Sequence, residues 1–266
     1  MLKNRLIPCI IVKGELLVQS FSFKRYLPIG KIKTAIEFFV NWDVDEIVIL
    51  DIDATKESRS PRLDVIEHAA RDCFVPLSIG GGIRSVDDIN NLLKVGADKV
   101  CINTIAVEHP EFISEAAEQF GSQCVTVSID AKEISENRYE VMIRNGKQAT
   151  GLYLPDWAKA VEDLGAGEIL INSIDRDGSR KGYDINLLRT VSSAVHVPVI
   201  ACGGVGKMEH FSAGIIEGGC QAVAASNIFQ HTEHSTIVAK SFLKRAGVSA
   251  RLNSLVRYED VGVNHI

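Results

Sequence analysis

A repeat at one fixed offset constrains the fold of this chain more than any other feature. Shifting the sequence by 122 positions superposes the segment EIVILDIDATKESR, which begins at Glu46, on EILINSIDRDGSRK, which begins at Glu168. The same shift superposes VPLSIGGGIRS on VPVIACGGVGK, and VCINTIA on AVAASNI. One such match could be a coincidence, but three at the same offset predict two halves of a common design.

Eight apolar runs recur along the chain with helical segments between them, which is typical of parallel strands joined by crossover helices. The candidate strands are Leu6–Val12, Glu46–Asp51, Val75–Ile79, Lys99–Ile102, Cys124–Asp130, Glu168–Ile174, Val197–Ala201 and Ala222–Ala225. A closed barrel of eight strands takes ~250 residues as one domain. We therefore predict an α/β fold, a (β/α)8 TIM barrel of two half-barrel repeats, over residues 1–245, and a C-terminal tail over 246–266.

The composition narrows the classes of function. The chain has 266 residues, of which 46% are hydrophobic, so it can form one sizeable core. A formal net charge of -5 and a pI near 5.8 provide no basic field for a nucleic acid backbone. No apolar run approaches the ~20 residues that cross a bilayer, and the apolar part of the start is too short for a signal peptide. We expect a cytoplasmic protein that binds small molecules and other proteins, but neither nucleic acid nor membrane.

The cysteines do not predict a metal site. There are six, at positions 9, 73, 101, 124, 202 and 220, and none forms a C-x-x-C pair. We therefore expect no zinc site and no disulfide framework. Most should be small apolar residues in or beside strands. Cys9 could be a nucleophile at a strand end, although no adjacent His would activate it.

The run from Ile169 to Ile174 ends abruptly in polar residues, including Asp175 and Asp177. Groups at the carboxyl ends of barrel strands converge on the active site. Asp177 is therefore a candidate for a catalytic or ligand-holding carboxylate. The alternative is that Asp175 and Asp177 only cap the turn that follows.

Two glycine-rich turns, at 80–82 and 203–206, each follow a strand and precede a helical run. Glycine lets the backbone approach a ligand closely, and N–H groups at a helix start favour phosphate. Tight turns also need glycine, but both turns are paired at the repeat offset with polar strand ends, Asn103–Thr104 and Ala225–Ser226. These features predict two phosphate sites, and hence a ligand with a phosphate at each end.

The first and fifth strands correspond at an offset of 119, with Lys13 superposed on Lys132. On this register Asp130 ends its strand at the predicted site, and its counterpart is Ile11. Acid–base chemistry commonly uses a carboxylate at such a position. Alternatively, Asp130 stabilises the loop by pairing with the lysine that follows it.

A β-hairpin is predicted over residues 132–149, because RYEVMIR is followed by Asn145–Gly146, a favoured hairpin turn. We expect it to form a lid or wall above the mouth of the barrel. The tail after Phe242 is expected to be partly ordered at most.

Several segments together resemble one family: IPC near the start, DEIVILDIDA, PLSIGGGIRS, GADKVCIN, FGSQCVTVSIDAK, GAGEILINSIDRDGSRKGYD and PVIACGGVGKMEHF. Over about residues 1 to 245 the chain resembles the cyclase subunit of imidazole glycerol phosphate synthase. The resemblance implies a heterodimer with a glutaminase subunit, which releases ammonia that passes through the barrel to a bis-phosphorylated ribulosyl aminoimidazole carboxamide. We expect no cofactor and no metal.

The resemblance also assigns roles to particular positions. The family's phosphate-holding positions fall on Gly82, Asn103, Thr104, Asp177, Gly178, Gly204, Ala225 and Ser226. The charged ring that gates the ammonia entrance falls on Arg5, Glu46, Lys99 and Glu168. Opposite charges at strand starts are consistent with such a gate, although an ion cluster that only plugs the barrel is the alternative.

The chain departs from the family at the top of the barrel. Of the two aspartates that act as acid and base, one falls on Asp130 and the other on Ile11, which cannot transfer a proton. Losing one member of such a pair typically costs ~10²–10⁴-fold in rate. A lysine of the mobile first loop falls on Gln19, and the K-D-G-R run there is replaced by Lys13, Gly14, Glu15 and Leu16.

Three hypotheses follow. In the first, the chain is a paralogue, as found in surface-polysaccharide pathways, that passes ammonia toward a separate amidotransferase making an acetamidino sugar. In the second, it is a histidine-pathway cyclase that compensates for Ile11. In the third, it is a non-catalytic scaffold that binds and regulates a glutaminase.

Overall fold

In the computed structural model, which describes residues 3–230, 235–254 and 256–258, the chain forms a closed barrel surrounded by helices. The strands are β1 (Arg5–Lys13), β2 (Leu16–Phe21), β3 (Arg25–Lys31), β4 (Ile47–Asp51), β5 (Leu77–Gly80), β6 (Lys99–Ile102), β7 (Val125–Ser135), β8 (Arg138–Ile143), β9 (Gln148–Tyr153), β10 (Glu168–Ser173), β11 (Val199–Cys202) and β12 (Ala222–Ala225).

Eight of these strands are parallel neighbours in the order β1, β4, β5, β6, β7, β10, β11 and β12, and β12 pairs with β1 to close the ring. All eight predicted strands are present, with bounds within a few residues of the prediction. The (β/α)8 barrel is therefore confirmed.

The helices cover the outside of the barrel. They are α1 (Ile32–Asn41), α2 (Leu63–Arg71), α3 (Val86–Lys94), α4 (Thr104–Glu108), α5 (Glu111–Phe120), α6 (Leu154–Asp163), α7 (Ile185–Ser192), α8 (Glu209–Ile216) and α9 (Ser235–Arg245). Two begin with a side-chain cap: Ser85 accepts a hydrogen bond from the backbone N–H of Asp88, and Asp184 from that of Leu187. No helix of the described residues is long and apolar enough to cross a membrane.

The strand pleat divides the core into two layers. Along β1, Leu6 and Ile10 face the helices and belong to the large outer core, whereas Ile7 and Cys9 point into the barrel. This alternation is the period of two that a strand imposes on its side chains. The sequence of β1 is apolar on both faces because a parallel barrel buries both.

Two antiparallel hairpins extend barrel strands above the mouth. The hairpin of β2 and β3 continues β1, and that of β8 and β9 continues β7, which lies opposite β1 in the ring. The second hairpin confirms the predicted strand RYEVMIR and its turn at Asn145–Gly146, and β7 and β9 widen it to three strands. A side chain at Gly146 would lie 3.2 Å from Phe23 of the first hairpin, so the two hairpins meet over the mouth.

The tail packs against the bottom of the barrel as far as the structure describes it. Ala250 forms a β-bridge with Asn4. Arg251 binds Asp45 at 3.1 Å, and the Tyr258 hydroxyl contacts Asp43. Position 255 and residues 259–266 of the predicted tail lie outside the described part of the chain.

Candidate functional site

Asp130 lies at the mouth of the barrel, where β7 leaves the ring. Its carboxylate is 7% exposed and accepts a 2.8 Å hydrogen bond from the side-chain amide of Asn103. Burial raises the pKa of Asp130 to about 7; the charge of Asp177 adds to the rise, and hydrogen bonds from Asn103 and Asn172 oppose it. Near neutral pH both protonation states of Asp130 are therefore populated, which suits a general acid or base. No ion pair forms between Asp130 and Lys132.

Ile11 lies on β1, across the ring from Asp130, and lines the same cavity. It pairs with Leu50 of β4 on one side and with Val18 of β2 on the other. Its side chain is half-buried against the apolar interior of the barrel. This side of the mouth therefore presents a hydrocarbon surface where the opposite side presents a carboxylate.

Asp177 fastens the first hairpin to the barrel. Its carboxylate accepts hydrogen bonds from the Ser20 hydroxyl at 2.6 Å and from the backbone N–H of Phe23 at 3.1 Å, and its carbonyl oxygen accepts from the N–H of Ser22 at 3.1 Å. Burial raises the pKa of Asp177, and these hydrogen bonds partly offset the rise. The side chain thus caps a distant hairpin and not its own turn, a partnership that local sequence does not reveal.

The predicted phosphate-holding residues converge on one cavity at the mouth, with a volume of about 130 Å³. They are Gly82, Asn103, Thr104, Asp177, Gly178, Gly204, Ala225 and Ser226. The Asn103 side-chain oxygen and the Ser226 hydroxyl are buried and have no hydrogen-bond partner in the described part of the chain. Because buried polar atoms are nearly always satisfied, these two atoms are available to a ligand.

The glycines of this cavity also have a structural reason. A Cβ atom on Gly82 would lie 2.2 Å from the carbonyl oxygen of Arg59, and one on Gly204 would lie 2.3 Å from that of Gly182. Gly178, with φ +68°, similarly allows Ser20 of the hairpin to approach. Close backbone approach therefore accounts for these glycines, and phosphate binding at them stays a prediction.

A third carboxylate at the mouth, that of Asp51, forms an ion pair with Arg59. Arg59 donates two hydrogen bonds to it, at 2.6 and 3.1 Å, and the backbone N–H groups of Asp53 and Ala54 donate two more. Asp51 therefore stabilises the loop after β4. Among the described residues, no group of three or more His, Cys, Asp or Glu side chains is placed to hold a metal ion.

At the bottom of the barrel, four charged side chains form a closed ring of ion pairs. Arg5 binds Glu46 and Glu168 at 2.6 Å each, and Lys99 binds the same two carboxylates at 3.0 and 2.8 Å. Glu46 is only 2% exposed; burial raises its pKa, while Lys99 and Arg5 partly offset the rise. Burial lowers the pKa of Arg5, but the charges of Glu168 and Glu46 outweigh it and the net shift is upward.

Between the ring and the mouth, the interior is mostly apolar. It is lined by Ile7, Cys9, Val48, Cys101, Leu170, Ile200, Cys202, Ala222 and Ala224. Hydroxyls interrupt this lining: Ser78 is in register with Lys99, and Thr126 with Glu168, so both lie next to the ring, whereas Ser128 lies further up and lines the cavity at the mouth. Neither the Ser78 nor the Thr126 hydroxyl oxygen has a hydrogen-bond partner in the described chain. A small polar molecule that passed the ring could form hydrogen bonds with the hydroxyls of Ser78 and Thr126.

Two cysteines of the interior, Cys101 and Cys202, are poor nucleophiles. Burial raises the pKa of Cys101 to about 12. A hydrogen bond with Cys9, followed by burial, raises the pKa of Cys202 well above its usual value. Since the thiolate is the reactive form, these positions serve as small lining residues.

The fold and the site define a (β/α)8 barrel with a ring of charges at one end and a polar cavity at the other. A family model described as "Histidine biosynthesis protein" matches residues 5–235. The chain is also 57% identical, over 266 residues, to a protein of Vibrio vulnificus (strain YJ016) named "Putative imidazole glycerol phosphate synthase subunit hisF2", covering 100% of this chain and 97% of the relative. The chain therefore belongs to the histidine biosynthesis protein family, and within it to the type of the cyclase subunit of imidazole glycerol phosphate synthase.

Proposed function

We propose that this chain is the barrel subunit of a two-protein glutamine amidotransferase. In this proposal a glutaminase subunit docks at the bottom of the barrel, and ammonia passes through the ring of Arg5, Glu46, Lys99 and Glu168 to the mouth. The ring itself is the observation that carries the proposal. Apolar side chains would close the bottom of the barrel at a lower energetic cost than four buried charges. The use of charged residues therefore favours a gate that opens over a permanent plug.

The interior supports the same direction of transfer. The hydroxyls of Ser78 and Thr126, next to the ring, have free hydrogen-bonding capacity. Above them the lining is apolar as far as the cavity with Asp130. An uncharged ammonia molecule crosses such a lining far more easily than an ammonium ion, because burying an isolated charge is very costly.

At the mouth, we propose that ammonia meets or passes a phosphorylated ligand without the cyclase reaction of the family. The cyclase pair of aspartates is reduced here to Asp130, because Ile11 contributes only hydrocarbon. The unpartnered Asn103 oxygen and Ser226 hydroxyl support binding of a polar ligand. The ammonia would then serve amidino-sugar synthesis in a surface-polysaccharide pathway, through a separate amidotransferase.

A genuine cyclase remains the second candidate, and one observation favours it. With a pKa of about 7, Asp130 can both donate and accept a proton near neutrality. A single carboxylate with this property could serve two successive proton transfers. The third hypothesis, a regulatory scaffold, predicts glutaminase binding without any ligand at the mouth.

A turnover assay with the bis-phosphorylated ribulosyl aminoimidazole carboxamide and ammonium salt tests the proposal. We expect binding of the substrate by calorimetry but little or no imidazole glycerol phosphate. Turnover near the ~10 s⁻¹ of a median enzyme would establish the cyclase instead. Association with a glutaminase from the same genome is measured separately, and its absence would remove the conduit proposal.

A further inference from the structure

We propose that a second cleft, beside the central cavity, binds a diphosphate group. It lies between the two hairpins and the loops after β4 and β10, and it has a volume of about 630 Å³. Small-molecule sites typically occupy ~300–1,000 Å³. The cleft contains none of the glycines or strand-end residues assigned to the two phosphate pockets, so it goes beyond the proposed function.

The charge of the cleft is the first observation. Its lining includes five lysines, Lys13, Lys24, Lys56, Lys132 and Lys147, and two carboxylates, Asp53 and Asp175, a net charge of +3. The chain as a whole carries -5. A concave surface whose charge opposes that of the whole protein concentrates anions locally.

The lysines come from five separate segments: the end of β1, the turn between β2 and β3, the loop after β4, strand β7, and the turn between β8 and β9. No local run of basic residues produces the cluster. The fold brings together like charges, which repel one another in the absence of an anion, so a ligand would relieve the repulsion.

The lysines have no carboxylate partner within ion-pair distance in the described part of the chain. The two aspartates are engaged elsewhere: Asp53 accepts a 3.0 Å hydrogen bond from the N–H of Gly14, and Asp175 a 2.9 Å bond from the N–H of Glu133. Lys13 is held 4.9 Å above the ring of Tyr26, which orients its ammonium group at the cleft.

The cleft is continuous with the central cavity. Phe23, Tyr26, Ile52 and Asn145 line both. The side-chain amide of Asn145 donates a 2.6 Å hydrogen bond to the carbonyl oxygen of Ile52, which holds the second hairpin against the loop after β4 at this junction. One molecule could therefore place a diphosphate among the lysines and the rest of its structure in the mouth.

Calorimetry with inorganic pyrophosphate and with uridine diphosphate tests the site on the full chain. We expect at least one to bind, with an affinity that falls as salt rises, because the lysines are exposed and screened. Tighter binding of uridine diphosphate would assign the source as a nucleoside diphosphate, and equal or tighter binding of pyrophosphate would assign it as a free diphosphate.

Two double variants, each of which replaces lysines from two of the five segments, locate the binding. Lys24→Gln with Lys147→Gln, and Lys13→Gln with Lys56→Gln, should each weaken binding by about tenfold, since two of five favourable charges are removed. The control is Lys159→Gln, an exposed lysine of α6 outside the cleft, which should bind as the unmodified chain does. Thermal unfolding confirms that each variant is folded. Binding of neither diphosphate, or unchanged binding in both double variants, overturns the proposal.

Discussion

The hydroxyl of Ser20 donates a 2.6 Å hydrogen bond to the carboxylate of Asp177, 157 positions away in the sequence. This bond joins the first hairpin, which belongs to the first half of the barrel, to the loop after β10 in the second half. The hairpin carries Gln19 and Tyr26. It forms one wall of the central cavity and one wall of the second cleft, which is lined by five lysines. Its position therefore controls access to the mouth.

Ser20→Ala should loosen this hairpin. The substitution leaves the buried carboxylate of Asp177 with the N–H of Phe23 as its remaining donor to that oxygen, so we expect a loss of about 1–3 kcal/mol in the free energy of unfolding. Amide hydrogen exchange should accelerate at residues 16–31 more than in the barrel strands. Ser212→Ala is the control, because it removes an exposed hydrogen bond within α8, to the carbonyl oxygen of Glu209. Uniform exchange across the chain would contradict the tether.

Breaking the buried ion pairs of the charged ring should cost more stability than breaking an exposed ion pair. Arg5→Ala leaves the carboxylates of Glu46 and Glu168 with Lys99 as their remaining cationic partner, and it should lower the free energy of unfolding by about 1–3 kcal/mol near neutral pH. Arg71→Ala, which breaks an exposed pair with Glu67, should cost less than about 0.5 kcal/mol. Urea unfolding of both variants makes the comparison. Equal losses would mean that the ring is solvated as any surface pair is.

Asp130 should make stability depend on pH. Its pKa in the folded chain, about 7, lies above the ordinary value of 3.8, so the folded state binds the proton more tightly than the unfolded state. The stability that this proton contributes is fully present below about pH 4 and is lost as the pH rises to about 7.

Asp130→Asn removes this dependence. The variant should therefore be more stable than the unmodified chain at pH 8, by on the order of 1–3 kcal/mol, and similar to it near pH 4. Unfolding at the two pH values measures the difference. A variant that is less stable at pH 8 would mean that the ionised carboxylate is favoured by the fold.

Ile11→Asp tests which chemistry the mouth can support. The new carboxylate adds a second titratable group across the mouth from Asp130, and it leaves the predicted phosphate-holding residues unchanged. We expect a trace of cyclase turnover with ammonium salt, still below a median enzyme by ~10²-fold or more, because Gln19 stands where the resemblance to the cyclase subunit implies a lysine. In the control Ile11→Asn, the new side chain has nearly the same size as aspartate but cannot transfer a proton, so this variant should stay inactive. Equal traces in both variants would point to a change in packing.

Much of the architecture could be predicted from local patterns. The apolar runs, the repeat at 122 positions and the Asn145–Gly146 turn specify strands, symmetry and one hairpin, because hydrophobic period and turn chemistry act between near neighbours. The hairpin of β2 and β3 was not predicted, since its sequence lacks a strong two-residue turn signal.

What the sequence by itself determined is the barrel, its two halves and the identity of the charges at each end, since these depend on residue type and spacing along the chain. Only the tertiary structure decided the partners of those charges. Asp177 binds a hairpin, Asn103 binds Asp130, and five lysines from distant segments share one cleft. Such contacts join residues far apart in the chain, and they exist only once loop closure and core packing have set the distances between strand ends.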